Sequence, residues 1–132
     1  MGKIFVVDDE RDVVTLIHFI LEKDGHEIVE CFNGAQVLSR LGLEPAKPAL
    51  ALSLPDLIIL DVMMPEVDGY TVASRLQESS ETRAIPLIIL TAKGQMREVF
   101  QMSPNVKAYI DKPFDPKNLR ELVTNVLNGK QT

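Results

Sequence analysis

Short apolar runs alternate along the chain with segments whose hydrophobic residues recur at helical spacing. The strand-like runs cover residues 4–7, 27–31, 57–60, 87–90 and 107–110, and the helical segments cover 11–24, 34–41, 70–77, 96–102 and 116–127. In the helical segments, apolar residues return every three or four positions, which is typical of a helix with one buried face. Strands that alternate with helices indicate parallel βαβ units with right-handed crossovers. The sequence therefore predicts an α/β domain built on a five-stranded parallel sheet.

Size and composition narrow the class of protein. A chain of 132 residues with a net charge of -5 is one domain by size and lacks a basic footprint for nucleic acid. Cys31 is the only cysteine, which excludes an internal disulfide, and with only two histidines the chain is poorly supplied for zinc. No apolar run approaches the length of a membrane span, and the first residues do not resemble a signal peptide. We therefore expect a cytoplasmic protein that binds neither membrane nor nucleic acid directly.

Residues 42–55 form a connection that is long for a compact α/β domain. Three prolines, at positions 45, 48 and 55, rule out a long uninterrupted helix there. We expect a surface insertion before the third strand. An added contact surface is the alternative, because Leu50, Leu52 and Leu54 are apolar for a plain loop.

Polar residues follow four of the strand-like runs. Asp8 and Asp9 come after the first run, Asp61 after the third, Thr91 after the fourth and Lys112 shortly after the fifth. Because the carboxyl ends of parallel strands meet at one edge of the sheet, these side chains are expected to converge. Clustered carboxylates repel one another unless a cation joins them, and a hard divalent ion such as Mg²⁺ prefers oxygen ligands. With a lysine and a hydroxyl beside it, such a site is suited to holding a phosphoryl group on an aspartate.

Each of these residues alone has an ordinary explanation. The acids at positions 8–10 are favoured at a helix start, and threonine is common at strand ends. Asp61 lies between two apolar runs and needs a partner, which a structural ion pair with Lys112 would supply. Pro113 follows that lysine directly and could fix its direction. Taken together, however, the residues are far more specific than any one of them.

The motifs carry a family resemblance. They are Val6-Val7-Asp8-Asp9-Glu10, Leu60-Asp61-Val62-Met63-Met64-Pro65, Asp68-Gly69, Leu90-Thr91-Ala92 and Lys112-Pro113-Phe114. In this order, and over essentially the whole chain, the sequence resembles the receiver domain of two-component response regulators. The resemblance implies a single receiver domain over 1–132, with a doubly wound, flavodoxin-like α/β/α fold of strand order 2-1-3-4-5.

The resemblance also implies roles for the acids. Asp61 would be the phosphoacceptor, attacking a phosphohistidine or a small phosphodonor. Asp9 would be the principal Mg²⁺ carboxylate and Asp8 its neighbour, with Asp61 and the backbone carbonyl of Met63 completing the protein ligands. An aspartate nucleophile is a known route to an aspartyl phosphate, and phosphoryl transfer depends mainly on positioning and charge neutralisation.

Three further residues match the family's response to phosphorylation. Thr91 would hydrogen-bond a phosphoryl oxygen after transfer, and Lys112 would pair with the phosphoryl charge. Tyr109 matches the switch aromatic that turns inward when Thr91 moves, although a half-buried structural tyrosine would look the same in sequence. These roles would couple a local change of charge to a signalling surface.

The chain departs from the family pattern outside the acidic site. Besides the segment 42–55, residues 95–105 make a poor helix, broken by Ser103-Pro104, in a region that belongs to the family's signalling face. Met63 and Lys93 occupy two positions that tune hydrolysis of the acyl phosphate in the family. Because a thioether is a poor hydrogen-bond acceptor and no donor, Met63 cannot orient an attacking water. We therefore expect slow autodephosphorylation.

Three classes of function remain in competition. The leading one is a signalling module rather than a turnover enzyme, with a histidine kinase or a histidine phosphotransfer protein as its partner. A haloacid-dehalogenase-type phosphatase also uses an aspartate and Mg²⁺, but it needs a second aspartate where this chain has Met63. An interaction domain whose acids no longer react is disfavoured by the complete set of site residues. The sequence leaves open whether the chain stands alone or belongs to a longer protein, which output it controls, and whether it dimerises on phosphorylation.

Overall fold

The computed structural model describes residues 2–43, 54–92 and 104–129. The elements in chain order are β1 (Lys3–Val7), α1 (Arg11–Glu22), β2 (Glu27–Cys31), α2 (Gly34–Arg40), β3 (Leu57–Asp61), α3 (Gly69–Glu78), β4 (Leu87–Ala92), β5 (Val106–Lys112) and α4 (Pro116–Leu127). The five strands form one parallel sheet in the order β2-β1-β3-β4-β5. The predicted doubly wound sheet is confirmed, with its strand order.

Helices cover both faces of the sheet and give the expected three layers. One core lies between the sheet and helices α2 and α3, and the other lies between the sheet and helices α1 and α4. All five residues of β3 are buried because this central strand has a core on each side. Along β3, Ile58 and Leu60 point into the first core while Leu57 and Ile59 point into the second. Within the described part of the chain, no helix is long and apolar enough to cross a membrane.

The element bounds differ from the prediction mainly at the strand ends. The predicted bounds of β2 and α4 match the structure, but β3, β4 and β5 continue beyond their apolar runs. Asp61 pairs with Leu90 and Thr91 pairs with Asp111 in the parallel register, so these polar residues are part of the sheet. Backbone pairing does not depend on side-chain hydrophobicity, which is why the apolar pattern stopped too early.

Two predicted features fall mostly outside the described residues. The weak helix predicted over 96–102 lies there entirely, as does most of the segment 42–55. At the margins of that segment, Leu54 is exposed, and the guanidinium of Arg75 on α3 donates to the carbonyl of Leu43 at 2.5 Å. The contact fixes the start of the connection against α3.

Candidate functional site

The carboxyl ends of four adjacent strands bring the predicted polar residues to one edge of the sheet. Asp61 is the last residue of β3, Lys112 is the last residue of β5, and Asp8 directly follows β1. Carboxylate oxygens of Asp8, Asp9 and Asp61 all lie within 4.8 Å of one another. The convergence predicted for the three aspartates is therefore present in the structure.

Lys112 places its ammonium among these acids. Its Nζ lies 2.7 Å from Oδ2 of Asp8, 3.3 Å from Oε1 of Glu10 and 3.4 Å from Oδ1 of Asp61. The Lys112–Pro113 peptide bond is cis. A simple ion pair of Lys112 with Asp61 does not describe this arrangement, because the nearest carboxylate is that of Asp8. Glu10 was not among the predicted site residues, although its place in the acidic run at 8–10 was the available signal.

Burial, together with the repulsion of neighbouring carboxylates, raises the pKa of Asp8 and of Asp61. The side chains of Asp8 and Asp61 are almost fully buried. Burial first, and then the charge of Asp8, raise the pKa of Asp61 to about 7. Burial also raises the pKa of Asp8, against the opposing effect of Lys112. Burial by itself would lower the pKa of Lys112, but the contacts with Asp8 and Asp61 outweigh it and raise that pKa.

The donor set fits a hard divalent cation. Oδ1 of Asp8 accepts a hydrogen bond from the backbone N–H of Glu10 at 2.9 Å. Oδ2 of Asp8 is buried and, among the described atoms, has no well-aligned hydrogen bond, although the Lys112 ammonium lies close enough for an ion pair. The hydrogen-bonding capacity of that oxygen is therefore only partly used. The oxygen also belongs to a cluster of three carboxylates, which a further positive charge would stabilise. Oxygen ligands of this kind suit Mg²⁺.

Thr91 makes a contact that the sequence did not predict. It is buried in β4, and its hydroxyl donates a hydrogen bond to Oδ1 of Asp111 at 2.7 Å. Asp111 is the residue opposite Thr91 in the parallel register of β4 and β5. Its signal in the sequence was only its position before Lys112. Tyr109, two residues earlier on β5, is half-buried against the core beneath α2 and α3.

The loop after β3 holds the backbone of Asp61 in place. Gly69, the first residue of α3, donates its N–H to the carbonyl of Val62 at 2.9 Å, and Asp68 caps the helix by accepting from the N–H of Thr71. A Cβ on Gly69 would lie 2.4 Å from the carbonyl oxygen of Asp61. In the same loop, the side chain of Met63 is 63% exposed. The helix start thus packs directly on the backbone of the central aspartate.

The fold and the site define a class: a doubly wound α/β domain with three carboxylates and one ammonium gathered where its strands end. The chain belongs to the response regulator receiver domain family, whose model matches residues 4–124. This membership confirms the resemblance seen in the motifs. It makes the chain a signalling module of two-component systems and favours that class over a haloacid-dehalogenase-type phosphatase.

Individual relatives agree with the family assignment. The alkaline phosphatase synthesis transcriptional regulatory protein PhoP of Bacillus subtilis is 33% identical over 130 residues, which cover 98% of this chain and 50% of PhoP. Protein PilH of Pseudomonas aeruginosa is 30% identical, with 98% of this chain and 100% of PilH covered. A signal receiver domain of a histidine kinase from Syntrophus aciditrophicus superposes with a TM-score of 0.80 at 32% identity, with 98% and 92% of the two chains covered. The chain thus spans about half the length of PhoP and the full length of PilH.

Proposed function

We propose that this domain accepts a phosphoryl group on Asp61 in a reaction that depends on Mg²⁺. The donor is a phosphohistidine of a histidine kinase or histidine phosphotransfer protein, or a small acyl phosphate. The observation that carries the proposal is the convergence of the Asp8, Asp9 and Asp61 carboxylates within 4.8 Å beside the Lys112 ammonium. Carboxylates that are gathered and buried beside one ammonium are typical of a functional site.

Asp61 is the nucleophile of the proposal. One of its carboxylate oxygens forms a bond to phosphorus while the bond between phosphorus and the donor breaks, and the donor leaves with that electron pair. The nucleophile must be ionised, yet burial raises the pKa of Asp61 to about 7 in the metal-free protein. Positive charge beside Asp61 therefore favours its ionised, reactive carboxylate. The same positive charge stabilises the negative charge that develops on the phosphoryl oxygens during transfer.

The cation of the proposal is held by Asp8, Asp9 and Asp61, with the backbone carbonyl of Met63 as a further ligand. When bound, Mg²⁺ neutralises negative charge on the transferring phosphoryl oxygens. Lys112 already bridges Asp8, Glu10 and Asp61, which supports a role for its ammonium in pairing with a phosphoryl group on Asp61. In the free protein the ammonium contacts the carboxylate of Asp8 most closely. When the ammonium pairs with the phosphoryl group instead, the metal would take over the neutralisation of Asp8.

Thr91 and Tyr109 carry the response in this proposal. After transfer, the Thr91 hydroxyl donates to a phosphoryl oxygen, and Tyr109 moves inward on the neighbouring strand. Tyr109 packs against the core beneath α2 and α3, and Thr91, two residues after Ile89 of that core, lies on the same face of the sheet. The altered surface would then bind an output domain or protein, or a second phosphorylated copy. A cytoplasmic location belongs to the same proposal, because kinases make phosphohistidine from cytoplasmic ATP.

Intact mass after incubation with acetyl phosphate and Mg²⁺ tests the proposal. The wild-type chain is expected to gain one phosphoryl group, and Asp61→Asn is expected to gain none. Asp12→Asn is the matched control, because Asp12 is an exposed aspartate in the first turn of α1. Chelation of Mg²⁺ should prevent the gain in every variant. Labelling of Asp61→Asn would assign the wrong acceptor, and a wild-type chain that accepts from neither acetyl phosphate nor a phosphorylated histidine protein would refute the function.

A further inference from the structure

The hydroxyl of Thr91 is committed to a partner on the neighbouring strand. Its Oγ1 donates to Oδ1 of Asp111 at 2.7 Å, and Thr91 is 1% exposed. The two residues are opposite each other in the register of β4 and β5, so the pairing of the strands itself brings them together. The distance of 2.7 Å is that of a well-formed hydrogen bond between a hydroxyl and an oxygen acceptor.

This contact lies on the face of the sheet that carries the proposed switch. Residues two apart in a strand point to the same face. Thr91 follows Ile89 by two positions, Asp111 follows Tyr109 by two, and both Ile89 and Tyr109 pack in the core beneath α2 and α3. The bond to Asp111 therefore holds the Thr91 hydroxyl in the same layer as Tyr109.

A threonine hydroxyl has a single proton, so it donates to one acceptor at a time. A carboxylate on Asp111 and a phosphoryl oxygen on Asp61 are both anionic acceptors for that proton. We propose that Asp111 is a positioning residue that competes with phosphorylated Asp61 for the Thr91 hydroxyl and so favours the unswitched state. This inference rests on the proposed function of Asp61 and adds a residue that regulates it. Loss of the Asp111 carboxylate should shift the two-state equilibrium toward the phosphorylated conformation.

The test is a double-mutant cycle with beryllofluoride, a non-covalent mimic of the phosphoryl group. Binding in the presence of Mg²⁺ is measured by NMR spectroscopy for the wild-type chain, Asp111→Ala, Thr91→Ala and the double variant. Because a hydrogen bond to a charged group must be broken in the wild-type chain, Asp111→Ala should tighten binding by about 5- to 50-fold. In the Thr91→Ala background, the same change should alter binding by less than about twofold. Asp111→Asn, which keeps the shape but removes the charge, should give an intermediate effect.

The Thr91→Ala background separates this mechanism from simple electrostatics. Removal of any negative charge near an anion site tightens anion binding, but that effect does not require the Thr91 hydroxyl. Equal tightening in both backgrounds, or no tightening in either, would overturn the role of Asp111. Asp12→Ala, which removes an exposed charge on α1, serves as the control for net charge.

A second measurement keeps this inference distinct from the proposed function. Side-chain couplings of Thr91 in the protein without beryllofluoride should show one rotamer in the wild-type chain and averaging in Asp111→Ala. One rotamer in both proteins would overturn the competing hydrogen bond even if Asp61 accepts a phosphoryl group normally. A wild-type chain that binds no beryllofluoride would overturn both proposals, whatever the Thr91 couplings show.

Discussion

In the proposed reaction, Asp61 acts as a nucleophile in a place where burial favours its protonated form. Its carboxylate shares the site with those of Asp8, Asp9 and Glu10, while the described residues contribute one ammonium there, that of Lys112. The excess of negative charge is unfavourable in the metal-free protein but suits a divalent cation and a transferred phosphoryl group. At the scale of residues, the side chains of the site therefore carry more negative than positive charge, and a bound cation would balance them.

We expect Met63 to lengthen the lifetime of the phosphorylated state. Its side chain is 63% exposed beside the acceptor strand and cannot hydrogen-bond a water well. Met63→Asn should speed loss of the phosphoryl group about 5- to 10-fold, the effect of one hydrogen bond of about 1 kcal/mol to the attacking water. The rate is measured by intact mass after removal of the donor, at constant Mg²⁺. Met63→Leu has similar volume and no amide and should decay like wild type. Fast decay in wild type that Met63→Asn leaves unchanged would contradict this role.

At the scale of elements, the start of α3 positions the end of β3. Gly69 donates its N–H to Val62, and its Cα approaches the carbonyl of Asp61 so closely that a Cβ would lie 2.4 Å from that oxygen and 2.9 Å from Cα of Val62. Backbone atoms cannot rotate away as a flexible side chain can. The absence of a side chain at position 69 is thus a condition for the present position of Asp61.

Gly69→Ala should therefore damage both stability and phosphorylation. Alanine is the better helix former, but the overlap with the β3 backbone should dominate and destabilise the fold by about 1–3 kcal/mol. Gly34→Ala is the matched control, because its Cβ would lie 2.4 Å from the carbonyl oxygen of Val67, and its three nearest contacts are all with Val67 rather than with Asp61. Both variants should unfold at lower urea concentration, but only Gly69→Ala should also slow phosphorylation under conditions where the protein is folded. Equal phosphorylation rates would show that the α3 start does not position Asp61.

The sequence predicted the elements well because apolar periodicity reports burial. The strands with two buried faces, such as β3, appeared as continuous apolar runs, and the polar residues at their ends marked the site. The contacts within the site could not be predicted in the same way. That Lys112 lies nearer to Asp8 than to Asp61, and that Thr91 donates to Asp111, depends on strand register and side-chain rotamers. Neither is encoded in the hydrophobic pattern.

At the scale of the whole molecule, two apolar cores support an edge that is electrostatically unfavourable. The cores on the two faces of the sheet bury one apolar face of each of the four described helices. The site at the carboxyl edge buries Asp8 and Asp61 against the preference of their charges for water. The stability of the metal-free domain should therefore depend on pH in a way that reveals the site.

We expect the stability of the metal-free protein to fall as the pH rises through the titration of Asp61. Burial and the charge of Asp8 raise the pKa of Asp61 from 3.8 to about 7, so the folded state binds a proton more tightly than the unfolded state. Stability from this group is accordingly present at low pH and is lost as pH rises through that interval. Without Mg²⁺, Asp61→Asn should raise the free energy of unfolding by roughly 1–4 kcal/mol at about pH 8 and by less at about pH 5. The measurement is urea denaturation at both pH values.

Asp24 provides a control of opposite sign. The Arg120 guanidinium, which forms two hydrogen bonds with its carboxylate, lowers the pKa of Asp24, so its contribution is present at neutral pH and is lost as pH falls. Asp24→Asn should therefore lower stability, and more so at high pH than in acid.

Mg²⁺ should stabilise the wild-type chain but have little effect on Asp61→Asn, because a ligand stabilises only the folded state that binds it. If Asp61→Asn and wild type show the same stability at both pH values without Mg²⁺, the Asp61 carboxylate does not carry the electrostatic strain inferred from its burial.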